Sequence, residues 1–254
     1  MHSVTPQLST AATSMESSNL KAHLTDALAR AIAGRELLTH PFYQRWQAGE
    51  VSLDELSRYA VQYRAFEAAL PEILANIVAG IDDASHAAAS DLVAQNLQDE
   101  LETPAPHLAL FDRFAAALPD AGDNEIAPAT RGLVGTYRDL ATDAPVRALA
   151  ALAAYETQAS AIASTKGEGL REWYGISDAA TEFWDVHAAM EVDHGDWAID
   201  ALMLLEADPA AVEEAGRQGA GLWWSFLDER QSELGELVGC SDTSLTMDTA
   251  SRTS

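Results

Sequence analysis

Leu149, Leu152, Glu156, Ala159, Ala163, Lys166 and Leu170 follow one another at steps of three and four. Such steps fall on one side of an α-helix, whose residues advance by ~100° each. They cannot belong to a strand, whose faces alternate at every second residue. The same spacing of Ala and Leu recurs along nearly the whole chain, and alternating runs of Val, Ile and Thr are missing. The pattern predicts an all-α protein. A first helix is expected over 20–38, stopped at His40-Pro41. Ser52 and Glu55 form a capping box that opens a second helix, which Pro71 bends or restarts before it runs to about Gly80. A third is expected over 84–102. Pro104 and Pro106 then break the chain, and Pro106 suits the first turn of the next helix. Helices near 127–141 and 145–166 follow, then a short GLREWYGI element, a helix over 178–206 and a last one over about 208–237. With 48% hydrophobic residues in 254, a single large core is within reach. The organisation read from this is a flexible polar tail over 1–19, one helical domain over 20–237 and a second flexible tail over 238–254.

Charge narrows the partners. Forty acidic residues stand against 15 basic ones, a net −25. Such a surface repels nucleic acid and anionic membranes. Only Lys21 and Lys166 are lysines; an acidic, lysine-poor surface is the kind expected of a halophilic protein, since ~1 M salt screens self-repulsion beyond a few ångströms. One cysteine, Cys240, excludes a disulfide within the chain and a zinc site of several thiolates. No signal-peptide layout and no long apolar run is visible, so a cytoplasmic location and no membrane partner are expected.

Chemistry concentrates in three places. In HAAMEVDH, His187, Glu191 and His194 stand at i, i+4 and i+7, within about 60° of each other around a helix. Two imidazoles and a carboxylate projecting together make a ligand set for iron, manganese or zinc; the plainer alternative is hydrogen-bonded histidines beside a solvated glutamate. In LQDELETPAPHLALF, Glu100 and His107 flank the proline break, where a helix end and a helix start can turn both inward, or leave Glu100 among exposed acids. Glu156 lies on the apolar stripe quoted above, where a carboxylate is costly unless paired or bound to metal. Lys166 shares that stripe, as an ion-pair partner, a lysine snorkelling at the helix end, or a desolvated amine. Taken together, Glu100, Glu156, Glu191, His107, His187 and His194 match the ligands of a di-iron or di-manganese centre in an all-α domain.

These motifs resemble a known group. LLTHPFYQRWQAGEVSLDELSRYAVQY, NLQDE with His107 seven residues after Glu100, AAYETQASAIASTKGEGLREWYGI and the His187/Glu191/His194 triplet resemble the haem-oxygenase-like superfamily, which includes the TenA and PqqC enzymes. Within it the sequence is most similar to non-haem dimetal oxygenases of the chlamydial CADD type. The resemblance covers about 30–235 and implies a single-domain helical bundle of haem-oxygenase-like (TenA/PqqC) type. Glu191 stands where CADD-type proteins usually have aspartate, and Phe183 where they often have tyrosine. The resemblance implies formation of p-aminobenzoate, the aromatic part of folate, at two divalent metal ions (iron, or iron with manganese) with O2 and an external reductant. It also implies that the protein consumes its own Tyr43 as the ring source, with Lys166 as amino donor and Tyr155 as a redox-active or gating phenol. A homodimer is the assembly it implies.

The competing functions are dimetal oxygen chemistry on a separate small-molecule substrate, a TenA- or PqqC-like enzyme, and a non-enzymatic helical regulator. A TenA-like hydrolase needs a cysteine in the core, and Cys240 falls in the expected tail. A PqqC-like cofactorless oxidation has no use for six metal ligands.

Overall fold

A computed structural model describes residues 7–81, 84–122 and 125–243. The described residues form α1 (Gln7–Ile32), a 3-10 turn (Leu37–Thr39), α2 (Pro41–Gln47), α3 (Leu53–Ile81), α4 (Ala87–Glu102), α5 (His107–Ala116), α6 (Pro128–Asp143), α7 (Pro145–Tyr174), α8 (Asp178–Leu204) and α9 (Pro209–Thr243). There is no strand among them, and none of the described helices is long and apolar enough to cross a membrane. α7 is the central post: it packs most extensively along α8 and also against α9, α6 and α3. Its consecutive buried residues from Ala148 to Ala154 are alanine apart from Leu149 and Leu152. Such small side chains let neighbouring helices approach closely on several sides.

Several boundaries differ from expectation. α1 begins at Gln7, inside the segment expected to be a tail, because no proline or glycine interrupts the chain between Gln7 and Ile32. It ends at Ile32, and the segment up to His40 is a turn and a short 3-10 piece. α3 runs through Pro71 without a break. α7 continues to Tyr174 and absorbs the GLREWY segment that was expected to stand apart. The two glycines there cost a helix ~1 kcal/mol each, but Gly169 sits against Trp46, where an added Cβ would come within 3.1 Å of the indole. Gly175, at φ +64°, adopts the left-handed cap that ends the helix. α9 extends to Thr243, so the segment 238–243 is helical; the rest of the expected C-terminal tail, 244–254, lies outside the described residues, as do residues 1–6.

Two local signals place the functional helices. The capping box forms as the sequence predicts: the Glu55 N–H donates to Ser52 Oγ at 3.2 Å and the Ser52 N–H to Glu55 Oε2 at 2.8 Å. This fixes the entry of α3. His40 caps α2 by accepting the Phe42 N–H on Nδ1, while its other ring nitrogen lies 3.1 Å from Asp228 of α9. The HPFY corner thereby turns Phe42 and Tyr43 into the core, where both are buried.

Candidate metal centre

Four helices and one helix start meet around a set of buried acids and imidazoles. α4 supplies Glu100, α5 begins with His107, α7 supplies Glu156, and α8 supplies His187, Glu191 and His194. α3 adds Glu67, which sequence reasoning missed. All seven are 5% exposed or less. One ligand atom each from Glu67, Glu100, His107 and His187 lie within 4.8 Å of one another, and the same holds for Glu100, Glu191 and His194. Glu100 belongs to both groups, the position of a carboxylate able to bridge two ions. Glu156 stands apart from both: its Oε1 accepts from Asn96 Nδ2 at 2.8 Å, and its Oε2 is buried with no hydrogen-bond partner.

The histidines are oriented for ligation. His187 Nδ1 lies 2.9 Å from the Phe183 carbonyl, which only a ring N–H can satisfy, so its Nε2 carries a lone pair toward Glu191 Oε1 at 3.8 Å. His107 Nε2 is held 2.9 Å from the Thr103 carbonyl, which leaves Nδ1 facing Glu100 Oε2 at 2.9 Å, outside hydrogen-bonding geometry. His194 Nε2 lies 3.2 Å from Asp99 Oδ2, and its Nδ1 faces Glu191 Oε2 at 3.8 Å with no hydrogen-bond partner. Each imidazole thus uses one nitrogen on an outer acceptor and presents the other to a carboxylate. That is the arrangement by which outer partners fix the tautomer of a metal-bound histidine. Lone pairs facing carboxylate oxygens require a proton or a cation between them.

The electrostatics carry the same demand. Burial pushes Glu67 and Glu191 far above the carboxylate range, and neighbouring carboxylates push them further. Burial raises Glu156 to about 8, with the Asn96 hydrogen bond opposing and Glu100 adding to the rise. Burial lowers His187 to about 3 and lowers His194 as well, so both imidazoles are neutral at pH 7. At His107 burial works in the same direction, but Glu100 outweighs it and the net shift is upward; Glu100 is correspondingly held low, against its own burial. Cations would take the place of the protons this cluster otherwise needs. The donor set of carboxylates and imidazoles fits iron or manganese.

Beyond the cluster lies an aromatic box around Lys166, which is 1% exposed. Its Nζ donates to Tyr59 Oη at 2.6 Å and lies 4.5 Å from the ring centroids of Tyr43 and Trp184 and 4.9 Å from that of Tyr63. Tyr43 Oη and Tyr59 Oη are 3.1 Å apart, and Tyr63 Oη and Tyr155 Oη 2.7 Å. Tyr155 also stacks on Trp223 at 4.2 Å. Of the sequence-predicted residues, Tyr43 and Lys166 therefore meet, while Tyr155 reaches the box through Tyr63. Lys166 shares a helix with Glu156 but its amine goes to Tyr59. Phe183 packs its ring on His187 with the centroids 4.0 Å apart, so a hydrophobic face lies against that imidazole. Tyr59 and Tyr63 went unnoticed in the sequence, although they step by four along α3 to Glu67. The rule that singled out Glu156, a carboxylate on an apolar stripe, applies equally to Glu67.

Comparison with known proteins agrees with this geometry. The model of a family described as iron-containing redox enzyme matches residues 57–226. A 4-aminobenzoate synthase of Nitrosomonas europaea is 34% identical over 212 residues, covering 78% of this chain and 86% of its own. A 4-aminobenzoate synthase of Chlamydia pneumoniae is 29% identical over 210 residues, covering 80% of this chain and 92% of its own. Among solved structures, a TenA homologue from Pseudomonas syringae superposes with a TM-score of 0.64 at 16% identity, covering 85% of this chain and 92% of that one, a likeness of fold. The chain belongs to the family of iron-containing redox enzymes with a haem-oxygenase-like fold, and it is an oxidoreductase.

Proposed function

We propose that this iron-containing redox enzyme is a 4-aminobenzoate synthase that takes the ring from its own Tyr43 and the nitrogen from its own Lys166. The observation that carries the reading is the amine of Lys166 lying 4.5 Å from the centre of the Tyr43 ring, both side chains 1% exposed and sharing one interior with the ligand cluster. The two curated relatives compared above carry the name of this activity. Glu100, His107, Glu156, His187, Glu191 and His194 would hold two divalent ions, iron or iron with manganese. Bound there, such a pair would supply O2-activating redox chemistry, with an external reductant as co-reactant.

The chain's own residues do the rest. Burial pulls the Lys166 amine well below its usual value of 10.5, against a weaker pull from Glu67. A neutral amine is the nucleophilic form. Tyr59 takes a hydrogen bond from Lys166 and shares one with Tyr43, so it holds amine and phenol in register. Burial pushes the Tyr43 phenol well above its ordinary value, against the hydrogen bond to Tyr59, so the ring enters the reaction as the protonated phenol. The Tyr155–Tyr63 pair offers a redox-active or gating phenol next to the same box. The closed aromatic wall of Tyr43, Trp46, Tyr59, Tyr63 and Trp184 keeps water from the reacting groups.

The test is a single-turnover experiment on protein made with ¹⁵N-lysine, given Fe(II), reductant and O2 in high salt. Expected are released 4-aminobenzoate carrying ¹⁵N, a mass loss that peptide mapping localises to Tyr43, and a second change at Lys166, whose Cε–Nζ bond breaks with loss of the ¹⁵N; Tyr43→Phe releases no product. Oxygen consumption by a chain whose mass is unchanged would overturn the reading and move the substrate to an external small molecule.

A further inference from the structure

α3 brings to the centre one acid that none of the sequence motifs includes. Glu67 is 2% exposed, and its Oε1 is buried without a hydrogen-bond partner. It reaches the centre on the same face as Tyr63 and Tyr59, one and two helical turns earlier, so it stands where α3 passes from the aromatic box to the ligand cluster. An isolated buried carboxylate with an unused oxygen is among the costliest groups a core can contain. A Gln or Leu of similar size would avoid that cost, so the acid needs a counterpart.

The geometry supplies one. A Glu67 oxygen lies within 4.8 Å of ligand atoms of Glu100, His107 and His187, all mutually within that distance. Four donors so arranged can close on a single ion with small rotations of their side chains. Charge points the same way. Glu100, Glu156 and Glu191 bring three negative charges, one fewer than two divalent cations need, and the imidazoles bring none. Glu67 is the fourth, and with it two divalent ions are neutralised within a dry interior where an unbalanced charge is heavily penalised. We infer that Glu67 is a metal ligand: it completes, with Glu100, His107 and His187, the shell of one of two divalent ions, the other being held by Glu191, His194 and Glu156 with Glu100 between them. This inference rests on the two-metal reading above.

Zinc tests it without triggering oxygen chemistry, since zinc is redox-inert. Metal-free full-length protein is loaded with Zn(II), its stoichiometry is measured by titration calorimetry, and the ions are located by anomalous diffraction from crystals of the loaded protein. Expected are two equivalents, with a Glu67 oxygen within about 2.5 Å of one ion, near the ~2.0–2.2 Å of a zinc–carboxylate bond. In solution, Glu67→Gln keeps the shape and removes the charge. It is expected to weaken one of the two equivalents by about 100-fold or more, above the usual range for a residue that acts only through another ligand. Two equivalents in the wild type with Glu67 beyond that distance from both ions, or a smaller loss in the variant, overturn the inference while leaving the two-metal centre in place. Fewer than two equivalents in the wild type overturn the two-metal reading and this inference with it. Should the variant not fold, the crystallographic distance in the wild type still decides.

Discussion

Replacing Lys166 by methionine is expected to stabilise the protein and to abolish 4-aminobenzoate formation. The amine donates one hydrogen bond, to Tyr59, and the one carboxylate that acts on it, Glu67, does so through its charge and more weakly than burial. Burial therefore dominates its proton affinity and holds it well below 10.5. If it is neutral in the folded protein, removing the proton at pH 7 from an amine that titrates at 10.5 in the unfolded chain costs about 5 kcal/mol, at 1.36 kcal/mol per pH unit. Methionine avoids that cost. It forfeits the bond to Tyr59, worth ~1 kcal/mol, while the Tyr59 hydroxyl keeps Tyr43 as a partner. The balance is a gain of ~3–4 kcal/mol at pH 7, which for a domain of this size raises Tm by roughly 10 °C.

The sign of the pH dependence makes the test stringent. For a group whose folded-state pKa is depressed, the unfolded chain binds more protons, so wild-type stability rises with pH until the amine loses its proton in the unfolded chain too, near 10.5. The advantage of Lys166→Met should then shrink by about 1.4 kcal/mol for each pH unit between 7 and 10. Denaturant unfolding of both proteins at pH 7, 8 and 9 in constant KCl measures it. A difference that is flat across this range, or a variant less stable than the wild type, would show that the folded protein keeps the amine protonated and would remove the nucleophile from the proposed reaction.

Two further outcomes follow from the charges. Glu156, raised to about 8, must lose its proton to ligate, so metal affinity should fall as pH drops below about 8 and uptake should release protons; calorimetric titration in two buffers of different ionisation heat checks this, and equal heats refute it. With a net charge of −25, self-repulsion should be screened by salt, so Tm should rise as KCl is raised toward ~1 M; a Tm indifferent to KCl would refute the halophilic expectation.

The helical class, the capping box at Ser52–Glu55 and the inward triplet of α8 were legible in the sequence because each is a local pattern. The i, i+4, i+7 spacing that unites His187, Glu191 and His194 is set by helix geometry alone. Less legible was anything that depends on what packs opposite. α7 passes through Gly167 and Gly169 with Trp184 packed beside the first and Trp46 beside the second, a tertiary effect with no local signal. That Asn96 of α4 takes one oxygen of Glu156 and leaves the other without a hydrogen-bond partner depends on the register of α4 against α7. Glu67 was hidden for a different reason. It carried the same signature as Glu156, an acid amid Tyr63, Phe66 and Leu70, but no histidine nearby in the sequence drew attention to it. Its partners come from α4, α5 and α8.

One physical cause connects the two halves of the site. Removal from water acts against whichever form of a group is charged, so in one dry interior it raises the glutamates and lowers the lysine. Where Glu67, Glu156 and Glu191 gather, divalent cations can take over the role of the protons, and the cost of burial is converted into metal affinity. Around Lys166 the opposite holds: Tyr43, Tyr59, Tyr63 and Trp184 offer rings and one hydroxyl but no full negative charge, so a neutral amine is the cheaper form. α3 separates these environments along one face, with Tyr59 and Tyr63 on the box and Glu67 on the cluster. A carboxylate moved one turn toward the box, at Tyr63, would pair with Lys166 and hold its proton. The order of residues along α3 therefore keeps the buried acid cluster one turn away from the Lys166 amine within the same core.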